Sequence, residues 1–118
     1  MNSILALSSE LQEQGPGCSF QVQKDGRLWT AFIIRYEGKA LCYLNACAHV
    51  GLKLNGDKNT FFDQSGKSLM CRAHGAVYEA GSGKCIDGPC QGYGLISLAI
   101  SEREGAIHYE DEIYTLVA

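Results

Sequence analysis

Several features that common functions require are missing or scarce in this chain. No apolar run approaches the ~20 residues that a bilayer crossing needs. There is no basic excess. The net charge of −3 over 118 residues gives a nucleic-acid role no bulk electrostatic support. No long segment sustains a 3.6-residue apolar period, which excludes a helical bundle. Prolines number only two, so few strands are interrupted. No nucleophile–base motif, glycine-rich phosphate loop or second-cofactor signature stands out, so nothing in the chain is equipped to transform a substrate. The opening "MNSILALSSE" has no basic start, and its apolar patch is too short for a signal peptide. The expectation is a cytoplasmic protein without nucleic-acid or membrane partners.

What is present points to strands. Fourteen glycines and frequent Val, Ile, Tyr and Phe suggest short strands joined by tight turns. Residues 1–14 are the exception and read as a frayed helical or irregular lead-in, ended by "GPG" at 15–17. Strands are expected at 18–23, 27–36, 40–46, 60–63, 68–71 and 76–79, with turns "KDG", "EGK", "QSGK" and "AGSGK" between them. Segments 94–102, 106–110 and 112–118 read as a closing meander. The chain is thus expected to be one all-β domain over 1–118, a small antiparallel sandwich or barrel. A hairpin-rich insertion occupies about 45–92.

The acid excess is local. Residues 102–112 hold five acids (Glu102, Glu104, Glu110, Asp111, Glu112) against Arg103, whereas the first 101 residues hold eight acids and nine bases. Such a cluster could dock a basic partner; a solvated edge hairpin is the simpler expectation, with His108 as a surface histidine. Trp29 and Phe32 are expected in the core. Cys18 and Cys42 fall on strands and are expected to be buried apolar residues.

Six cysteines in a reducing compartment point to metal or redox chemistry before structural disulfides. Two of them pair with histidines: Cys47-x-His49 and, after 21 residues, Cys71-x-x-His74. Each pair sits where a strand runs into a loop containing glycine, Gly51 in the first and Gly75 in the second. A tetrahedral zinc site accepts two sulfurs and two nitrogens, but common zinc spacings group like ligands together. A binuclear cluster with two thiolates on one iron and two imidazoles on the other accounts for the mixing, because each loop then supplies one ligand to each iron.

At these residues the sequence resembles the Rieske family of [2Fe–2S] proteins. "GKCIDGP", ending in Gly88-Pro89, looks like the family's proline loop, and the resemblance spans roughly 27–100. The spacer between the pairs is longer than in many small members, owing to the hairpin "TFFDQSGKSLM". The resemblance implies a cluster held by Cys47, His49, Cys71 and His74. Gly51, Gly75, Tyr78, Gly88 and Pro89 would surround it, and Tyr78 could donate to a cysteine sulfur. The histidines would bind through Nδ1 and present Nε2 to solvent, so partners would dock on Val50, Leu52, Gly88 and Pro89. Arg72, inside the second loop, could guide an acidic partner or stay merely solvated.

The implied role is a one-electron carrier, a ferredoxin component serving an oxygenase or reductase rather than a catalyst on its own. It is expected to be a monomer or weak oligomer that meets its redox partner transiently. The alternatives are a zinc-stabilised protein-binding module and a non-catalytic small subunit of a reductase such as nitrite reductase. Cys85 and Cys90 flank the proline loop. They could form a local disulfide or a second metal site, but two thiols packed beneath the loop suit a reducing compartment better.

The ligand surroundings set the potential. Histidine ligation leaves the oxidised cluster formally neutral and places the family at about −150 to +300 mV. High-potential members carry a disulfide between the cluster loops and a serine hydroxyl on a bridging sulfide. Here the matching residues are Leu52 and Ala73 for the disulfide, and Ala76 for the serine. Each missing donor leaves the added electron less stabilised. A redox titration is therefore expected to place the midpoint in the lower part of the window, becoming pH-dependent in alkaline solution. A midpoint well above about +150 mV would contradict this reading.

Overall fold

A computed structural model describes residues 4–15, 17–45, 61–62, 66–70, 76–87 and 94–117. They form an almost all-β structure of ten strands in three antiparallel sheets. In chain order these are β1 (Ile4–Leu7), β2 (Cys18–Lys24), β3 (Arg27–Tyr36), β4 (Lys39–Leu44), β5 (Ser68–Met70), β6 (Val77–Glu79), β7 (Cys85–Asp87), β8 (Ile100–Arg103), β9 (Ala106–Tyr109) and β10 (Thr115–Leu116). Among the described residues no helix is long and apolar enough to cross a membrane, which says nothing of β-barrels.

The central sheet runs β10-β2-β3-β4. Its hairpins are set by two-residue turns, Asp25-Gly26 and Glu37-Gly38. Both turn residues have positive φ in each case (52° and 78°, 51° and 78°). That is the turn geometry whose twist matches antiparallel strands, and glycine takes it without a Cβ penalty. The same device, Glu104-Gly105, joins β8 to β9.

Strand β3 contains the run Ala31-Phe32-Ile33-Ile34, and all four residues are shut off from solvent. The run is continuous because both faces of the strand are covered. Ala31 and Ile33 join Val22, Cys42, Leu44, Ile107 and Tyr109 in a core toward the β1-β9-β8 sheet. Phe32 and Ile34 join Tyr43, Phe61, Leu69 and Tyr78 in a second core toward the β5-β6-β7 sheet. The central sheet is thus the middle layer of three.

Residues 1–14 differ from the expected lead-in. Ile4–Leu7 is a strand paired with β9, followed by a 3₁₀ turn at Ser8–Glu10. The turn is closed by the Glu10 carboxylate, which accepts from the Leu7 N–H at 2.7 Å. The partner strand lies about a hundred residues away, so local pattern could not reveal the pairing. The closing meander is also only partly formed. β8 and β9 make a hairpin, but β10 pairs with β2 instead of β9, whose other side is taken by β1. Of segment 94–102, only 100–102 lie in a strand. Upstream, the Leu44 N–H donates to Ile96 O and the Leu98 N–H to Cys42 O. Those bonds carry the chain along the outer edge of β4 into β8.

His108 is half-buried on the middle strand of its sheet. Trp29 borders the core half-buried, with the Arg27 guanidinium 4.0 Å over its ring. Phe32 and Cys42 are buried as expected, and Cys18 is half-buried.

The acidic segment is more than a solvated edge. Asp111 caps the approach to β10 by accepting from the Ala99, Ile113 and Tyr114 N–H groups. Glu110 accepts from the Ser101 hydroxyl. Glu102 takes the Arg35 guanidinium in a two-point ion pair, 2.6 and 3.1 Å. The remaining Arg35 donors reach the carbonyls of Leu11 (2.9 Å), Ser8 (3.2 Å) and Gly38 (3.2 Å). One planar side chain therefore fastens β3 to β8, to the N-terminal segment and to the β3–β4 turn.

Arg35, and secondarily the Ser8 hydroxyl, hold Glu102 below the usual carboxylate range. A depressed folded-state pKa gives stability that is present above the unfolded value of about 4.3 and is lost as pH falls through the folded value. At neutral pH, Glu102→Gln is expected to cost about 1 kcal/mol and Arg35→Ala about 2–3 kcal/mol, because three backbone carbonyls also lose a donor. Urea denaturation at pH 7 and pH 3 checks this: the Glu102→Gln deficit should shrink at the lower pH.

Candidate metal centre

The expected ligands Cys47, His49, Cys71 and His74 lie outside the described residues, as do Gly51, Gly75, Gly88, Pro89, Val50, Leu52, Ala73, Cys90 and Arg72. What the structure describes is the frame from which those segments depart. β5 and β6 pair Ser68 with Glu79, Leu69 with Tyr78 and Met70 with Val77. Segment 71–75 is therefore anchored on both sides by adjacent strands, with Met70 and Val77 directly opposed at its base. β7 pairs Asp87 with Val77, so segment 88–93 departs beside that same base. Segment 46–60 returns to the same sheet: Phe62 bridges Leu69, and the Met70 N–H donates to Phe61 O at 3.1 Å. It follows Asn45, a buried polar residue just after β4 that donates its N–H to Thr30 O at 2.7 Å. Three segments bearing the expected donors and the Gly88-Pro89 pair are thus tied to one small sheet.

That sheet has a dry floor. Phe61, Phe62, Leu69, Ala76, Tyr78, Ala80 and Cys85 are buried in one cluster with Phe32, Ile34 and Tyr43. The Phe61 ring stacks on Phe32 at 3.8 Å between centroids and 9° between planes. Gly17 makes that stack possible, since a Cβ there would stand 2.7 Å from Ile33 O and 2.9 Å from Phe61 Cε2. The Tyr43 hydroxyl donates to Ala80 O at 2.8 Å and locks the central sheet to the β6–β7 hairpin. Burial, helped by Glu79 and then Cys42, pushes that hydroxyl up to about 12, so it remains a donor at any physiological pH. Tyr78, the expected sulfur donor, is fully buried at the middle of the small sheet.

β7 escaped the sequence reading. Cys85-Ile86-Asp87 has no alternation long enough to signal a strand; its pairing with β6 comes from the turn at 80–84. The 60–63 strand reduces to the single Phe62 bridge within the described residues.

Among the described residues no group of three His, Cys, Asp or Glu side chains could hold a metal. Burial raises the thiol pKa of both Cys18 and Cys42, so neither is a ready thiolate. The free thiol favoured for Cys85 is corrected: Cys85 is disulfide-bonded.

Comparison with known proteins decides the family. The family model of the Rieske [2Fe-2S] domain matches residues 3–100. The chain belongs to the Rieske [2Fe–2S] domain family. No curated protein sequence matches it. Among solved structures, the Rieske fold here is similar to the Sphingomonas yanoikuyae B1 ferredoxin. That match has 17% identity and a TM-score of 0.69, covering 95% of this chain and 100% of that one. The ferredoxin of carbazole 1,9a-dioxygenase from Nocardioides aromaticivorans IC177 matches at 16% identity and TM-score 0.69, covering 92% and 96%. The terminal oxygenase of the same dioxygenase matches at 19% identity and TM-score 0.73 over 98% of this chain. The chain spans only 31% of that oxygenase's length. At these identities the likeness is one of fold.

The residues fit the family's [2Fe–2S] cluster. Two thiolates and two imidazoles are its donor set. The described frame ties the ends of their segments to one small sheet, whose own residues belong to a buried apolar cluster. The zinc alternative has no comparable support, since its ligand spacing was already anomalous.

Replacing Gly17 with alanine is expected to cost about 1–3 kcal/mol, because Ile33 O and the Phe61 ring must both give way. Thermal denaturation followed by circular dichroism measures it; an unchanged midpoint would show that the Phe32–Phe61 stack does not depend on this close approach.

Proposed function

We propose that this protein is a one-electron carrier, a ferredoxin component that delivers electrons to an oxygenase or reductase from the cytoplasm. One observation carries the reading: the match to two ferredoxins runs over nearly the whole of both chains, whereas the match to the oxygenase covers less than a third of it. Cys47 and Cys71 would hold one iron, and His49 and His74 the other, with residues 45–92 serving as the cluster-binding part of one domain. The bound cluster supplies reversible uptake of one electron in a potential range raised by imidazole ligation.

The chain's own residues do the rest. The β5–β6 pairing fixes the base of the second ligand segment, and the Phe61–Met70 hydrogen bond fixes the end of the first. Phe61, Phe62 and Ala76 keep water from the inner side. Tyr78 would donate its hydroxyl proton to a cysteine sulfur and so favour the reduced state. Gly51, Gly75, Gly88 and Pro89 would let the backbone approach and cover the cluster. Val50, Leu52 and Pro89 would form a small apolar rim around the histidines, suited to weak, short-lived docking of a redox protein.

The test is the purified protein itself. It is expected to be red-brown and to take up one electron per chain. Reduction should yield the paramagnetic resonance signal of a mixed-ligand binuclear cluster, and an oxygenase or reductase partner should reoxidise the protein. A colourless, zinc-loaded protein would overturn the proposal. Tyr78→Phe should keep the fold and lower the midpoint by roughly 40–90 mV, the equivalent of about 1–2 kcal/mol for one hydrogen bond to a charged sulfur.

A further inference from the structure

The chain between β1 and β2 reaches all three layers. At its start the Ser8 N–H donates to Gly105 O in the β8–β9 turn at 2.8 Å. The Ser8 and Leu11 carbonyls accept from the Arg35 guanidinium that grips Glu102, and Leu11 is buried in the core toward the β1-β9-β8 sheet. In its middle, Glu13 runs beside Arg35 in a parallel bridge. The Glu13 carboxylate accepts the Glu37 and Gly38 N–H groups of the β3–β4 turn at 2.6 and 2.8 Å. At its end, Gln14 donates its backbone N–H to Arg35 O at 2.8 Å and its side-chain amide to Gly66 O at 2.6 Å. Gly66 lies just before β5, and Gly17, beyond Gln14, seats the Phe61 ring. We propose that residues 8–15 are a strap that couples the β1-β9-β8 sheet to the small sheet, so that loosening its first end loosens the 61–70 frame.

The backbone of Gln14 supports the assignment. Among the described residues, the non-glycine positions with positive φ are Gln14, Asp25, Glu37 and Glu104. Asp25, Glu37 and Glu104 each open a two-residue hairpin turn; Gln14, at 55°, belongs to no hairpin. A side chain in this region crowds its own backbone and persists only where the surroundings hold it there. Here two hydrogen bonds hold it, one to the central sheet and one to Gly66. The middle anchor is firm for a related reason: one carboxylate that accepts two adjacent N–H groups fixes the strap and the turn together. Residues 12–14 are exposed, so polar bonds rather than burial carry this part. Each such bond is weak alone. The strap therefore changes how often the 61–70 frame opens, not whether the protein folds.

Residue-resolved amide hydrogen exchange of the full-length protein tests the coupling. The reporter is the Met70 N–H, bonded to Phe61 O; the reference is the Asn45 N–H, bonded to Thr30 O in the central sheet. Gln14→Asn keeps a residue that tolerates positive φ but shortens the side chain, so the bond to Gly66 is lost. It is expected to speed Met70 exchange about two- to fivefold and to leave Asn45 unchanged. Glu102→Gln, at the other end of the strap, should speed Met70 by a similar factor beyond any change at Asn45. In the double variant Glu102→Gln/Gln14→Asn that second effect should disappear, because the connection is already cut. Glu13→Gln, which weakens only the middle anchor, should behave as Glu102→Gln does and keeps the test open if the latter folds poorly. A Met70 rate that follows Asn45 in every variant overturns the proposal, since it reports overall destabilisation without coupling. So does a double variant in which the two effects simply multiply. These rates do not depend on the function proposed above: a colourless protein that meets them keeps the strap and loses the carrier reading.

Discussion

Burial of β3 on both faces is the constraint on which the remaining structure rests. A strand with Ala31 and Ile33 pointing one way and Phe32 and Ile34 the other cannot be satisfied by one partner layer. Each face needs its own cover. The β1-β9-β8 sheet supplies one, and the small β5-β6-β7 sheet supplies the other. β4 repeats the arrangement in shorter form, with Cys42 and Leu44 on one side and Tyr43 on the other. The small sheet that anchors the candidate ligand segments is therefore part of the protein's core, because it packs on the far side of the central sheet.

Among the described residues, particular side chains join the layers. The Arg35 guanidinium collects the barrel side, and the Tyr43 hydroxyl reaches the Ala80 carbonyl on the other. The Phe32–Phe61 stack replaces polar contacts with area at the point where the first ligand segment returns. Apolar packing fixed in this way has little freedom to reorganise when a charge nearby changes.

The sequence was legible where structure is local. The β2–β3–β4 hairpins could be read from Asp-Gly and Glu-Gly punctuation, and β3 was bounded to the residue by its apolar run. The Cys-x-His and Cys-x-x-His spacing named the family before any fold was known. What escaped depends on distant partners. β1 becomes a strand because β9 arrives to pair with it, and β10 leaves its neighbour for β2 because Gln23 and Val22 offer an open edge. Arg35 and Glu102 stand 67 positions apart, and no pattern of charge in either neighbourhood announces their pairing.

Among the described residues the longest-range strand pairings join Ile4 to His108 and Val22 to Leu116. During synthesis, β1 must wait for β9 to be made, while residues 27–87 already hold the β3–β4 hairpin and the strands of the small sheet. The lobe that would receive iron can therefore take shape on the nascent chain before the barrel closes. Closure then comes last, at the pace set by joining segments so far apart.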